Sequence, residues 1–260
     1  MITEPQTRPA ALARRTNPAY ALLAAVQFLT RIPTPQIPYT DRTLSDALAY
    51  FPLIGLLIGT LAALVNQFLA PHLSRPLSAL CTVTFTVLIT GALHEDGLAD
   101  CADAFFGHHS RERTLAILRD SRIGTYGAAA LALSLGARVL LVAALPLNHV
   151  FPYLIAAHTL ARWSPLPLSY LPPARPENGQ GARVAQRTSW FTMVQSVVIC
   201  GAIVVFSLHR NAAIPIAVTL LTTTACAAYL NHRIHGITGD CFGTTTQLVE
   251  IAVLTAGAWI

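Results

Sequence analysis

Six long apolar segments constrain the fold of this chain more than any other feature of its sequence. A helix that crosses the hydrocarbon core of a bilayer needs about 20 mostly apolar residues, within a range of about 17 to 25. Segments of this kind run over residues 48–70, 77–93, 125–145, 191–208, 212–230 and 244–260. Charged residues make up only 11% of the chain, against about 25% in an ordinary soluble domain. The chain is therefore predicted to be an integral membrane protein.

A shorter apolar segment, 151–161, is predicted to form a seventh span. His149 precedes it and Arg162 follows it, and it can extend back to Asn148 as a short or tilted helix. We therefore predict an all-α fold, a polytopic transmembrane helical bundle with about seven spans. In this fold, residues 18–260 form a single integral-membrane domain.

The N-terminal region resembles a signal peptide only superficially. Arg14 and Arg15 precede an apolar stretch at 19–29, but no small-x-small cleavage site follows it. We predict that residues 1–17 form a disordered tail and that residues 18–30 form an interfacial or re-entrant helix.

The placement of arginine predicts which loops share one side of the membrane. The 17 basic residues are all arginine. If the spans alternate, fourteen arginines lie on the side of loops 94–124, 162–190 and 231–243, whereas only Arg75 and Arg210 lie opposite. Positive charge collects in cytoplasmic loops, so these three loops are predicted to face the cytoplasm. The basic balance thus reflects topology and does not call for a nucleic-acid partner.

Half of the 12 acidic residues lie within 26 positions. They are Glu95, Asp96, Asp100, Asp103, Glu112 and Asp120. On a helix, Asp96, Asp100 and Asp103 fall at i, i+4 and i+7, so their side chains share one face, while Glu95 points about 100° away from Asp96. Carboxylates packed so closely repel one another, and Mg²⁺ relieves the conflict because it prefers carboxylate oxygens. We predict that these three aspartates bind Mg²⁺; a solvated acidic linker is the alternative.

Three glycines stand where another backbone is expected to come close. Gly55 and Gly59 form a GxxxG pair in an apolar segment, which favours close helix packing. Gly97, inside the acidic cluster, would let a substrate or another helix approach.

A second polar motif follows sixteen residues after Asp103. It places Arg119, Ser121 and Arg122 before Gly124, at the start of an apolar segment. Arginine binds phosphate with a two-point contact, and a glycine-rich helix start offers N–H groups to an anion. The motif therefore predicts a site for a substrate phosphate; plain positive-inside anchoring by the arginines is the alternative.

A third motif carries acidic residues into the last apolar segment. Its members recur at i, i+3, i+7 and i+10 on one helix face, and they are Asp240, Gly243, Gln247 and Glu250. A charge at the depth of Glu250 needs a partner, and Arg138 or Arg162 are the candidates. The sequence leaves open whether Glu250 serves function or only helix packing.

Four motifs occur in a characteristic order. They are His-x-Asp-Gly-Leu-Ala-Asp-x-x-Asp from His94, basic-Asp-Ser-Arg-x-Gly-Thr-x-Gly from Arg119, Ala-Arg-Pro-Glu from Ala174 and Gly-x-Thr-Gly-Asp-x-x-Gly from Gly236. In this order they resemble the cobalamin synthase family, and the resemblance runs from about residue 20 to residue 260. Departures are modest: Arg119 stands where Lys is usual, and Ala104 stands where Gly is frequent.

The resemblance implies a Mg²⁺-dependent transferase of coenzyme B12 biosynthesis that joins adenosylcobinamide-GDP to α-ribazole, or to its 5′-phosphate, and releases GMP. It implies that Asp103 or Asp240 accepts the proton of the attacking hydroxyl, without deciding between them. It also implies substrate contacts from Arg119, Ser121, Arg122, Gly124, Arg162 and Arg175. The partners are then these small molecules and the lipid bilayer, and the sequence is compatible with a homo-oligomer.

Two other functions compete with this interpretation. A membrane enzyme of the CDP-alcohol phosphotransferase kind acts on a lipid head group, but its usual motif has two acidic pairs with a longer spacer and an Ala-Arg between them, which this chain lacks. A cation transporter would be expected to place its acidic residues near mid-membrane, whereas nearly all of them here lie at one face.

Overall fold

The protein is helical throughout the part that the structure describes. The computed structural model describes residues 16–37, 42–107, 109–120, 122–174 and 188–259. Within these residues there is no β-strand, only an isolated bridge between Pro173 and Ile237. The predicted all-α class is therefore confirmed for the described residues.

Twelve α-helices can be assigned in these residues. Numbered along the chain, they are α1 (Pro18–Leu29), α2 (Thr43–Ala47), α3 (Phe51–Leu69), α4 (Arg75–Thr90), α5 (Leu93–Phe106), α6 (Arg111–Ile117), α7 (Thr125–Ala144), α8 (Leu147–Trp163), α9 (Pro165–Leu168), α10 (Trp190–Leu208), α11 (Ala213–Ile234) and α12 (Gly239–Trp259). Short 3₁₀ segments precede α3 at Leu48–Tyr50 and α11 at His209–Ala212.

Three helical stretches of the described chain are long and apolar enough to cross a membrane. They run over Thr43–Leu69, Thr125–Ala144 and Trp190–Ile234. The last contains 45 residues, about twice the length of a single crossing, and the 3₁₀ segment at His209–Ala212 interrupts it. A fourth crossing is counted if α4 and α5, which meet at a bend of 90°, form one broken span. The helices are those of a membrane protein, but the predicted number of seven spans is not confirmed.

Two predicted spans differ from the helices found there. Segment 151–161 lies inside α8, a 17-residue helix in which every residue from Tyr153 to Trp163 is buried; its neighbours are α3, α10 and α12. The described part of segment 244–260, up to Trp259, lies in α12, which begins five residues before the segment, at Gly239. The first turn of α12 therefore includes Asp240, and the acidic face of this helix extends over almost three turns.

Helix α1 occupies the segment predicted to be interfacial or re-entrant. It begins at Pro18, where the Asn17 side chain accepts a hydrogen bond from the Ala19 N–H. Its 12 residues extend over about 18 Å, which is too short for a hydrocarbon core of about 30 Å. The predicted disordered tail is not tested, because residues 1–15 lie outside the described part of the chain.

The bend between α4 and α5 sets the direction of the acidic helix. Gly91 and Ala92 both adopt left-handed backbone conformations, with φ of 65° and 58°. Glycine tolerates this conformation, whereas another residue costs about 1–2 kcal/mol. Just before the turn, the Arg31 backbone N–H donates a hydrogen bond to the Ile89 carbonyl at 2.7 Å. Helix α5 therefore leaves the direction of α4 at the point where its acidic residues begin.

Gly55 and Gly59 bring α3 against α8, and the close packing predicted from their spacing is confirmed. A Cβ atom on Gly55 would collide with the His158 carbonyl oxygen, and one on Gly59 would lie 2.7 Å from the Ile155 Cα. The backbones of the two helices are thus in direct contact.

Replacing Gly55 by Ala should destabilise the folded protein by about 1–3 kcal/mol, because the added methyl group forces α3 away from α8. Heat or SDS unfolding of the detergent-solubilised protein measures the change. Gly136→Ala is the matched control, since a Cβ atom on Gly136 meets no atom within 4 Å. Equal stability of the two variants would contradict the close contact.

Candidate active site

Asp96, Asp100 and Asp103 share one face of α5, which we call the carboxylate face. Asp96 is exposed, and Asp100 and Asp103 are half-buried. Glu95 lies on a different side of the helix, where it is buried. The three aspartates on one side of α5 are thus exposed or half-buried, whereas Glu95 on another side is buried.

Asp240, in the first turn of α12, faces the same group of carboxylates. The negative charges that act on Asp100 come from Asp96, Asp240 and Asp103. Asp240 reaches this position because α12 packs against α5. Spacing in the sequence identified both acidic motifs, but only the helix packing brings them together.

A close crossing of α5 and α12 fixes this arrangement. A Cβ atom on Gly97 would lie 2.7 Å from the Asp240 carbonyl oxygen, and one on Gly243 would lie 3.2 Å from the His94 carbonyl oxygen. The Thr244 hydroxyl donates a hydrogen bond to the Gly97 carbonyl at 2.9 Å. Of the two possibilities for Gly97, the structure thus supports the approach of another helix.

The Asp103 carboxylate binds backbone N–H groups at the start of α7. The Gly124 N–H donates to one carboxylate oxygen at 2.7 Å, and the Gly127 N–H donates to the other at 2.8 Å. A Cβ atom on Gly127 would collide with this carboxylate. These N–H groups were expected to meet a substrate phosphate, and in this structure the anion they bind is Asp103. The assignment of Gly124 to substrate binding stays a prediction.

The arginines before α7 lie at the surface. Arg122 is 86% exposed and forms a two-point contact with Asp120, whose shortest distance is 2.6 Å. Hydrogen bonds from Arg122 lower the pKa of the Asp120 carboxyl to about 2, so the pair stays ionised at neutral pH. Arg119 is also exposed. Ser121 and Arg175, two further residues predicted to contact substrate, lie outside the described residues.

The carboxylates suit a hard cation by their chemistry. Within the described chain, no three His, Cys, Asp or Glu side chains are already grouped to hold a metal ion, and both Asp103 oxygens have N–H partners. Mg²⁺ does not need such a cage, because it is usually held by one or two carboxylates, several waters and substrate phosphates. Asp96 and Asp100, beside Asp240, fit this mode of binding.

A buried ion cluster lies beside the carboxylate face. Its charged members are Glu95, Arg138, Arg162 and Glu250, each at most 6% exposed at the side chain. Arg138 lies 2.6 Å from Glu95 and 2.8 Å from Glu250, and Arg162 lies 2.9 Å from Glu250. Both arginines predicted as partners of Glu250 therefore pair with it. The charges balance, two negative against two positive.

Neutral groups complete this buried ion cluster. Gln247 donates to Glu95 at 3.1 Å and accepts from Arg138 at 3.2 Å, and the Thr86 hydroxyl accepts from Arg138 at 3.0 Å. His158 lies 2.7 Å from Arg162. Glu95 was not predicted as a member of this cluster, although its position about 100° around the helix from Asp96 placed it away from the carboxylate face. Arg162 is placed in this cluster, away from the surface, and its assignment to substrate binding stays a prediction.

Comparison with known proteins identifies relatives over most of the chain. The model of a family described as cobalamin-5-phosphate synthase matches residues 21–258. Proteins named adenosylcobinamide-GDP ribazoletransferase are similar: one from Vibrio cholerae serotype O1 is 36% identical over 236 residues, covering 89% of this chain and 90% of its own. Another from Sinorhizobium medicae is 40% identical over 247 residues, covering 89% and 93%. A third, from Ralstonia nicotianae, is 36% identical over 247 residues, covering 90% and 93%. No solved structure matches.

Proposed function

The chain belongs to the cobalamin-5-phosphate synthase family, and from this membership we propose that it is a membrane-bound transferase of cobalamin synthesis. The proposed substrates are adenosylcobinamide-GDP and α-ribazole or α-ribazole 5′-phosphate, and the name that its relatives share, adenosylcobinamide-GDP ribazoletransferase, supports the first two. The observation that carries the proposal is the meeting of Asp240 with the carboxylate face of α5, because it unites two of the family's motifs in one site.

The reaction is a substitution at phosphorus. A ribose hydroxyl of α-ribazole attacks the phosphate that is attached to cobinamide. A new P–O bond forms, the bond between the two phosphates breaks, and GMP leaves with the bridging oxygen. The hydroxyl proton passes to a base. Such a transfer needs in-line positioning and charge neutralisation, and it needs no covalent protein nucleophile.

We assign the proton acceptor to Asp240. Both oxygens of Asp103 already accept backbone hydrogen bonds at 2.7 and 2.8 Å, and one of these would be lost or weakened if Asp103 took up a proton. Asp240 is half-buried at the start of α12, beside Asp100 on the accessible carboxylate face. Asp103 then serves to tie the carboxylate face to the start of α7.

Asp96 and Asp100 are proposed to hold Mg²⁺, with Asp103 as a further ligand if substrate draws it away from α7. When bound, Mg²⁺ neutralises charge on the phosphate oxygens of the substrate. Asp96 is exposed, so this side of α5 is open to a large, anionic substrate. The exposed Arg119 and Arg122 lie on the same connection between α6 and α7 and supply positive charge for its phosphates.

Changing Arg122 to Lys should lower kcat/KM by about 10- to 150-fold, because an ammonium group cannot reproduce the two-point contact of a guanidinium with phosphate. Rates of GMP release measure the effect. Arg113→Lys, at an exposed arginine of α6, is the control and should leave the rate unchanged. If kcat/KM of Arg122→Lys stays within about twofold of the parent value, Arg122 acts only as an exposed charge, and a single exposed charge contributes little free energy.

Metal-dependent release of GMP tests the function as a whole. The purified protein is supplied with adenosylcobinamide-GDP and α-ribazole, with Mg²⁺ or with a chelator. GMP and the joined cobalamin should form in equal amounts, and only with Mg²⁺. No release from folded protein with both substrates and Mg²⁺ would refute the proposal. Release of CMP from a CDP-activated lipid would instead support the lipid head-group alternative.

The site is proposed to face the cytoplasm of a bacterial inner membrane. In the predicted topology, fourteen of the 17 arginines lie on the side of loops 94–124, 162–190 and 231–243, as the positive-inside rule requires. Labelling of single cysteines from each side of intact membrane vesicles tests this orientation. Positions 110 and 235 should react from the same side, and reaction from opposite sides would contradict it.

A further inference from the structure

We infer that Arg138 is a positioning residue, which holds the carboxylate face of α5 toward Asp240 by bridging the two helices that carry them. The inference rests on the proposed function, because the site it serves is the one proposed there. Arg138 itself is 2% exposed and has no access to substrate. Its effect passes through Glu95 on α5 and Glu250 on α12.

The bridge joins the two acidic helices directly. Arg138, on α7, contacts Glu95 at 2.6 Å and Glu250 at 2.8 Å. Glu95 immediately precedes Asp96. Glu250 follows Asp240 by ten positions on the same helix, which is about 15 Å along its axis. The bridge is therefore far enough from the start of α12 to act as a second, separate link between the helices.

Two links determine an orientation that one link leaves free. The first is the crossing at Gly97, where the Thr244 hydroxyl reaches the Gly97 carbonyl at 2.9 Å. The contacts of this crossing lie within about one turn of each helix, at His94 and Gly97 on α5 and from Asp240 to Thr244 on α12, so they restrain the roll of α5 only near its start. The Glu95–Arg138–Glu250 bridge adds a restraint about 100° around α5 from Asp96. It acts together with the Gln247 amide, which donates to Glu95 at 3.1 Å, and with the hydrogen bonds that hold Asp103 at the start of α7.

Binding of Mg²⁺ by these carboxylates requires α5 to be held in a precise orientation. A carboxylate lies about 5–6 Å from the helix axis, so a roll of about 20° moves it by about 2 Å. Mg²⁺ accepts oxygen ligands only at about 2.0–2.1 Å and in a nearly octahedral arrangement. A roll of this size would thus separate Asp96 and Asp100 from a shared ion.

An arginine suits this position better than a lysine. Its guanidinium presents five N–H donors in a fixed plane. Arg138 donates hydrogen bonds to Glu95, Thr86 and Gln247 and forms an ion pair with Glu250 at 2.8 Å, so it engages three helices. A lysine ammonium would keep the charge but not this set of directions.

The decisive variant is the charge-balanced pair Glu95→Gln with Arg138→Gln. It removes one charge of each sign and leaves the pairing of Glu250 with Arg162, so no unpaired charge is created by the change. The affinity for Mn²⁺, measured without substrates from the EPR signal of the free ion, should fall by about 10- to 100-fold in this variant. This is the range seen when the groups that orient metal ligands are removed. The Mg²⁺ concentration for half-maximal GMP release should rise by a similar factor.

Asn66→Leu is the matched control for a lost buried contact between helices. Asn66 is buried and donates to the Thr82 hydroxyl at 3.1 Å, linking α3 to α4. If Arg138 contributed only to general stability, Asn66→Leu and the double variant would change the Mn²⁺ affinity alike. If Arg138 positions α5, Asn66→Leu should keep the parent's Mn²⁺ affinity. If the double variant fails to fold, Arg138→Lys takes its place and should shift Mn²⁺ affinity in the same direction.

A distance measurement judges the inference without relying on the metal. Spin labels are attached to Phe106→Cys on α5 and Leu248→Cys on α12, both exposed positions, after the native cysteines are replaced. The distribution of distances should shift or broaden in the double variant and stay unchanged in Asn66→Leu. An unchanged distribution, or Mn²⁺ affinity within twofold of a parent that binds it, overturns the inference. A parent that binds no Mn²⁺ refutes the metal assignment instead, and the label distances still decide about Arg138.

Discussion

Asp100→Asn is expected to cause the largest loss of activity, lowering kcat/KM by about 100- to 1000-fold, as removal of one preorganised electrostatic group does. Asp100 is the carboxylate on which the charges of Asp96, Asp240 and Asp103 converge. An amide has nearly the same shape but carries no charge, so it weakens metal binding without disturbing α5. The rate of GMP release over a range of Mg²⁺ concentrations measures the loss.

Glu112→Gln is the control for this change. Glu112 is an exposed carboxylate on α6, outside the group formed by Asp240 and the carboxylate face, and its loss should leave the rate unaltered. Membrane insertion and detergent stability should be normal in both variants. Near-normal turnover of Asp100→Asn at limiting Mg²⁺ would show that Asp100 does not hold the ion.

Glu250→Leu should produce the largest loss of stability, about 3–5 kcal/mol, because removal of one partner leaves buried charge uncompensated. Among the residues that the structure describes, Arg162 loses its only carboxylate partner, and Arg138 keeps only Glu95. Unfolding of the detergent-solubilised protein by SDS measures the free energy. A variant within about 1 kcal/mol of the parent would contradict the ion pairing.

A double variant separates ion pairing from packing at this position. Glu250→Leu combined with Arg162→Met removes one charge of each sign, and replacement of a whole buried pair by apolar residues is often nearly neutral. The double variant should therefore be more stable than Glu250→Leu alone. Because the two side chains are in contact, their effects are not expected to add. Additive losses would show that the interaction contributes little.

Local patterns in the sequence were sufficient for several features of the fold. Apolar length identified membrane helices, and the spacing of Asp96, Asp100 and Asp103 identified one face of a helix. The GxxxG pair at Gly55 predicted a close contact, though not that α8 would be its partner. The need of a membrane-embedded charge for a counterion pointed from Glu250 to arginine. Each of these inferences depends on neighbours within a few turns of one helix.

Other features depended on contacts that the sequence does not encode locally. The depth and neighbours of α8 are an example: its composition predicted a short span, and the structure shows a helix buried by protein along eleven residues. The start of α12 is another, because the apolar run begins after the polar turn that contains Asp240. In both cases hydropathy depends only on the composition of the segment, whereas burial depends on which helices pack around it.

By itself, the sequence determined the class of the protein, its family motifs and the faces on which its acidic residues lie. Helix periodicity decides these faces, since side chains three or four positions apart must come together. Only the tertiary structure decided that Asp240 meets Asp100, that Asp103 binds the start of α7, and that Arg138 joins Glu95 to Glu250. These contacts link residues that are between 21 and 140 positions apart. The physical reason is that helices can pack in many combinations, and the choice among them depends on the close crossing at Gly97 and on buried charges that must all find partners at once.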